Sequence, residues 1–235
     1  MSNGFVTYTL EENVAHLAMD DGKANALSYE MLDALNAALD RAEKEAAAVV
    51  LSGRSDRFCA GFDLKVMMSS PDAAKALLRK GGELYVRLYG APYPVVVACT
   101  GHALAGGSLV LLTADVRIGA AGPYRIGLNE VQIGLPIPVM AMELARDRLV
   151  GTELGRATLE AKIYGPEEAA RAGWLDEVVA PAEVVARAKA EAKRLGALTR
   201  SAYSATKSRL RGRTIEYVRA TVDEDMRTLM AGAGL

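Results

Sequence analysis

The stretch Pro94 to Asp115, PVVVACTGHALAGGSLVLLTAD, organises the rest of the chain. Val95-Val96-Val97 is a β-branched run suited to a buried strand. The chain then turns through Thr100-Gly101-His102 and bends again at Ala105-Gly106-Gly107. It continues into Ser108 to Leu112, which reads as the first turns of a buried helix. A strand delivered through glycines into a helix N-terminus leaves backbone N–H groups unpaired at the positive end of the helix dipole. Such an end holds a phosphate, a carboxylate or the oxygen of a polarised carbonyl.

The residues around the stretch weigh against most of these chemistries. Gly101 to Ser108 nearly spells the phosphate-loop spacing, but Gly107 stands where the lysine belongs. No G-x-G-x-x-G is present, so a dinucleotide site has little support. A serine hydrolase needs a G-x-S-x-G elbow and a histidine base; there is no elbow, and the histidines are His16 in a strand and His102 in a loop. Cys59 and Cys99 lack C-x-x-C spacing, so neither a metal site nor a disulfide framework is expected. Two readings remain: each loop is a plain tight turn, or the two together form an oxyanion hole. Backbone N–H groups from two loops, Gly61-Phe62 and Gly106-Gly107, would converge on one carbonyl oxygen.

Composition is consistent with this. A chain of 235 residues, 51% hydrophobic, can bury one sizeable core. A net charge of −1 with both signs interspersed gives no reason to expect nucleic acid or an anionic membrane as partner. The N-terminus lacks a basic segment followed by an apolar one, and no apolar run approaches the ~20 residues of a membrane span. A reducing cytoplasm is expected.

In chain order, Phe5 to Leu10 and Val14 to Met19 predict a hairpin. After the turn-rich Asp20 to Leu27, Ser28 caps a helix with Met31, Leu35, Leu39 and Ala42 on one face. Ala47 to Leu51 predicts a strand, Met67 to Pro71 a mobile connection, and Asp72 to Tyr89 a helix ended by Pro92 and Pro94. Val116 to Ile118 predicts a strand. Beyond Gly134 to Pro138 the chain turns helical, over Met140 to Val150, Gly151 to Ala161, Pro166 to Gly173, Pro181 to Leu195, Thr199 to Leu210 and Thr214 to Met230. Val178-Val179 adds a short strand. The first half suggests a loosely repeated ββα theme, and the pattern divides the chain into a core over 1–180 and a helical region over 181–235.

Phe58-Cys59-Ala60-Gly61-Phe62-Asp63-Leu64-Lys65, Pro94 to Ala98, Gly101 to Gly107 and Ala114-Asp115-Val116-Arg117, in that order, resemble the enoyl-CoA hydratase/isomerase (crotonase) superfamily. Asn25-Ala26-Leu27 and Glu167 through Val179 resemble its flanking signatures, so the resemblance spans roughly residues 5–210. It implies an α/β fold, a spiral of ββα units followed by helices that mediate trimerisation, and a homotrimer or hexamer. It also implies acyl-CoA thioester substrates, with coenzyme A entering as part of the substrate rather than as a cofactor. By the resemblance, the N–H groups of Phe62 and Gly106 hold the thioester oxygen. Lys65 lies near the CoA phosphates, and the backbone around Ala26, Ala60 and Leu64 lines the adenine and pantetheine path.

The family's hydratases usually carry two glutamates. Leu109 stands at the place of the first, and Glu130 fits the second. The segment from Ile126 to Glu130, followed by an Ile-Gly pair and prolines, looks more like the Δ3,Δ2-enoyl-CoA isomerases. Hydration needs one group to activate water and another to supply the α-proton, whereas shifting a double bond from C3 to C2 needs a single carboxylate that takes a C2 proton and returns it at C4. The expectation is therefore an enoyl-CoA isomerase with Glu130 as acid/base. The alternatives are an enoyl-CoA hydratase and a non-catalytic acyl-CoA-binding protein.

Overall fold

The computed structural model describes residues 4–232. Strands β1 (Val6–Glu11) and β2 (Val14–Met19) form an antiparallel hairpin, turned at Glu12-Asn13 where both φ angles are positive. Helix α1 (Tyr29–Glu45) follows, its first turn capped by the Ser28 hydroxyl, which accepts from the Met31 N–H at 3.2 Å. Met31, Leu35, Leu39 and Ala42 are buried, as the helical spacing predicts.

Three strand–strand–helix passages then repeat. β3 (Ala48–Ser52) and β4 (Asp56–Cys59) lead to the single turn α2 (Leu64–Met67) and to α3 (Pro71–Tyr89). β5 (Val95–Cys99) and β6 (Gly101–Leu104) lead to α4 (Gly106–Thr113). β7 (Val116–Ala120) and β8 (Ile126–Gly127) lead through a 3-10 turn over Val131–Ile133 to α5 (Val139–Arg148). The first strand of each passage joins one sheet and the second joins another. Among the described residues the orders are β1-β2-β3-β5-β7-β9 and β4-β6-β8, parallel except for the hairpin. Gly101-His102, expected as a turn, is thus the start of a strand in the second sheet. The chain changes sheets at Thr100, where one residue separates β5 from β6.

Helices α6 (Gly151–Thr158) and α7 (Pro166–Ala172), strand β9 (Glu177–Val179) and helices α8 (Val184–Gly196) and α9 (Arg200–Gly232) complete the chain. Alternate residues of the large sheet face two cores. Val49, Leu51, Val95 and Val97 pack toward α1, α3 and α4, while Val50, Val96, Ala98 and Ile118 pack against Val184, Ala188 and Ala192 of α8. Strands buried on both faces explain why Val95 to Ala98 carries no polar alternation.

Two further expectations are corrected. Pro181 does not start the long helix, which begins at Val184 after a turn. The final helical pieces, 199–210 and 214–230, are one continuous helix of 33 residues. Gly212 sits in its interior, where a glycine costs only ~1 kcal/mol relative to alanine. That cost is outweighed because the preceding turns are docked. Lys207 Nζ lies 2.7 Å from Asp115 Oδ2 and Arg211 Nη1 lies 3.0 Å from Asp115 Oδ1. Lys207 also donates to the Tyr93 carbonyl and Arg211 to that of Tyr89. Asp115 additionally accepts the Val95 N–H at 2.7 Å, so one carboxylate ties α9 to the start of β5 and the end of α4. Two residues on, Arg117 grips Asp176 through Nε at 2.9 Å and Nη2 at 2.6 Å, joining β7 to the segment before β9.

Candidate active site

The two glycine loops meet. A parallel bridge pairs Leu27 with Phe62, and its bonds run from the Leu27 N–H to the Gly61 carbonyl (2.8 Å) and from the Asp63 N–H to the Leu27 carbonyl (3.3 Å). Both bonds pass through the neighbours of Phe62, so the Phe62 N–H itself points away from Leu27. Gly61, at φ +97°, makes the bend, and a Cβ there would lie 3.3 Å from the Gly106 nitrogen and 3.1 Å from the Ala105 Cβ. On the facing loop, strain sits on Ala105 rather than on a glycine, with φ 48° and ψ −128°. Its N–H donates to the Gly127 carbonyl at 3.0 Å, and the next residue, Gly106, opens α4 with one of the helix's free N–H groups. The predicted pair, Phe62 and Gly106, is therefore brought together at the N-terminus of a buried helix.

Outside this pair lie the residues expected to carry the CoA moiety. The Ala60 N–H donates to the Ala24 carbonyl at 3.1 Å, which sets Ala60 against the loop that contains Ala26. Leu64 and Lys65 open α2 and are exposed, with the Asp63 carboxylate capping the turn through the Lys65 N–H. Sequence reading placed Asn25 in a flanking signature but did not foresee what its side chain does. Asn25 is fully buried at φ 53°, and its amide donates to the carbonyls of Met19, Arg57 and Phe58. The available signal was asparagine's tolerance of positive φ in a turn-rich segment.

Glu130 precedes the 3-10 turn after β8. Its Oε2 is buried without a hydrogen-bond partner, and so is the Oδ1 of Asn129. Burial pushes the Glu130 carboxyl above the ordinary carboxylate range, opposed by the backbone N–H groups of Glu130 and Asn129. Tyr85, also missed in the sequence, links this group to the glycine loops. Its hydroxyl donates to the Gly106 carbonyl at 2.9 Å, and its own pKa is raised well above 10 by burial, with the nearby Cys59 and Glu130 adding to it.

Leu109 lies in the first turn of α4 and is 4% exposed. With Phe62, Tyr85, Met140, Val218 and Val222 it borders a largely apolar cavity of about 450 Å³ between α3, α4, α5 and α9. Glu130 is not among the described residues that border it. Other groups are occupied or inert. The Cys59 and Cys99 thiols are buried and pushed up to about 12, and the His16 Nε2 sits 2.8 Å from the Ser52 hydroxyl. His102 Nδ1 accepts the Arg125 N–H at 3.0 Å. Among the described residues no helix is long and apolar enough to cross a membrane.

Known proteins share this architecture. An enoyl-CoA hydratase/isomerase family protein from Pseudomonas syringae superposes with a TM-score of 0.93 at 42% identity, over 96% of this chain and 98% of that one. The human mitochondrial delta3-delta2-enoyl-CoA isomerase superposes with a TM-score of 0.93 at 30% identity, over 97% and 91%. A probable enoyl-CoA hydratase from Rhodobacter capsulatus is 33% identical over 215 residues, covering 88% of this chain and 81% of its own length. The enoyl-CoA hydratase/isomerase family pattern itself matches residues 9–230, and the spiral of ββα units is the crotonase fold that the resemblance implies. The chain belongs to the enoyl-CoA hydratase/isomerase family.

Proposed function

We propose that this enzyme of the crotonase superfamily shifts the double bond of a 3-enoyl-CoA thioester to position 2. One observation carries the choice: the carboxylate at the second acid/base position, Glu130, keeps a buried oxygen without a partner, while the first position holds the buried Leu109. In this reading Glu130 removes a proton from C2. The resulting dienolate oxygen accepts from the Phe62 and Gly106 N–H groups, with the α4 dipole adding to its stabilisation. Glu130 then delivers the proton to C4, leaving the double bond between C2 and C3. The elevated carboxyl pKa suits a group that must both take and return a proton near neutral pH. Leu109 leaves no carboxylate at that position to activate a water, which favours the shuttle over hydration.

The remaining parts of the reading follow the same resemblance. Coenzyme A is carried by the substrate along Ala26, Ala60, Leu64 and Lys65, the acyl chain enters the cavity beside Leu109, and the enzyme works in the cytosol as a homotrimer or hexamer. Exposed apolar residues such as Leu159 and Leu210 suit such an assembly, and light scattering at micromolar concentration that returned a monomer would refute it. Purified protein assayed against paired 3-enoyl- and 2-enoyl-CoA esters tests the activity. Faster isomerisation than hydration is expected. Faster hydration would assign a hydratase, and binding without turnover would assign an acyl-CoA-binding protein.

A further inference from the structure

The Phe62 ring is held between two glycines on different helices. A Cβ on Gly81, in the middle of α3, would stand 2.3 Å from its Cε1 and 2.4 Å from its Cζ. A Cβ on Gly106 would stand 3.1 Å from Cδ2 and Cε2, the opposite edge of the same ring. Tyr85 closes a third side edge-on, with ring centroids 6.1 Å apart and planes at 68°. A methyl group at 81 would force this half-buried ring to move, either against α4 or into the cavity that it borders. The next residue, Gly82, faces open space, so the contact with the Phe62 ring sets Gly81 apart from its neighbour.

We propose that Gly81 is a positioning residue for the oxyanion hole: its notch seats the Phe62 ring, and the seated ring fixes the direction of the Phe62 N–H. This rests on the reading of that N–H as an oxyanion donor. Because the side chain and the donor belong to one residue, a displacement of the ring is transmitted through a single Cα.

The test is a double-mutant cycle of Gly81→Ala and Phe62→Leu, read with acetoacetyl-CoA as probe through the near-ultraviolet absorbance of its bound enolate, alongside kcat and KM for a 3-enoyl-CoA ester. Gly81→Ala is expected to lower kcat and the affinity for the enolate roughly 10- to 100-fold, less than outright loss of an oxyanion donor, with KM nearly unchanged. In the Phe62→Leu background, which keeps the N–H but removes the ring, the same substitution should change either quantity less than about twofold. Equal losses in both backgrounds, or no loss in the Gly81→Ala single variant, overturn the proposal. If that variant does not fold, a folded double variant with the enolate affinity of Phe62→Leu supports the steric link, and an unfolded one overturns it. A wild-type protein that binds the probe without forming its enolate overturns the oxyanion reading itself, and the positioning role with it.

Discussion

Asp115 and Glu130 lie fifteen positions apart in sequence and illustrate two ways to keep a carboxylate away from water. Asp115 is met by the Lys207 ammonium, the Arg211 guanidinium and the Val95 N–H, all at 3.0 Å or less. Its side chain is 10% exposed, and those of its two cationic partners are 6% and 4% exposed. The arrangement carries its own cost: burial outweighs the ion pair and draws the Lys207 ammonium down to about 8. Glu130 meets no cation among the described residues. One oxygen is buried without a partner, and its proton is held more tightly as a result. The first carboxylate is saturated and therefore structural. The second keeps one unsatisfied oxygen, a condition that fits the acid/base role proposed for it.

The sharpest way to break this contrast is to neutralise each group in turn. Glu130→Gln keeps the shape of the side chain but cannot carry the proton. Turnover is expected to fall more than about 100-fold, the usual size of a general-base effect, with CoA-thioester binding nearly intact. Residual activity within a few-fold of wild type would remove Glu130 from the mechanism. Asp115→Ala leaves two buried cations facing each other and should cost about 3–5 kcal/mol in denaturant unfolding. A change under 1 kcal/mol there would mean that the network contributes nothing net to docking α9.

How much of this contrast the sequence discloses differs between the two groups. The two glycine loops were legible as backbone bends, and the resemblance paired Phe62 with Gly106, which the fold brings together. Glu130 was found only through family resemblance, since a lone glutamate before a Gly/Pro-rich segment has no local signature. The partners of Asp115 were not legible at all. Lys207 and Arg211 are separated from it by about ninety residues, and a basic face on a late helix normally reads as solvated. The same long-range docking carried the last helix through Gly212, where local propensity alone suggested a break. Ala105 was hidden for a different reason: nothing in its identity announces a positive φ, which the packing between β6 and α4 imposes.

Two smaller effects sharpen the comparison. Leu109→Glu places a second carboxylate in the first turn of α4, where the helix N-terminus favours its charged form while burial opposes it. The ratio of 2-enoyl-CoA hydration to 3-enoyl-CoA isomerisation should rise about tenfold or more even if both rates fall, since the new group supplies an acid/base of ordinary strength. An unchanged ratio would detach that position from the choice of reaction. The smallest effect concerns stability. Because the folded state holds the Glu130 proton above the ordinary carboxylate range, this residue loses stability for the fold as pH rises through that range toward the elevated value. Below the ordinary range both states are protonated and nothing is lost. Glu130→Gln should therefore melt a few degrees higher than wild type at neutral pH and converge with it in acid. A variant that melts lower at neutral pH would show that Glu130 is paired after all.

The order in which the walls of the cavity are made has a consequence for biosynthesis. Phe62, Tyr85 and Leu109 come from the first half of the chain, whereas Val218, Val222 and Met226 come from its last helix. A ribosome adding about 5–20 residues per second takes on the order of 5–20 s to travel from Glu130 to Met226. Throughout that interval the nascent protein presents the cavity as an open apolar cleft. The stretch of synthesis between the two halves is thus when this chain most needs a chaperone, and a ribosome stalled there would expose the apolar walls of the same cavity.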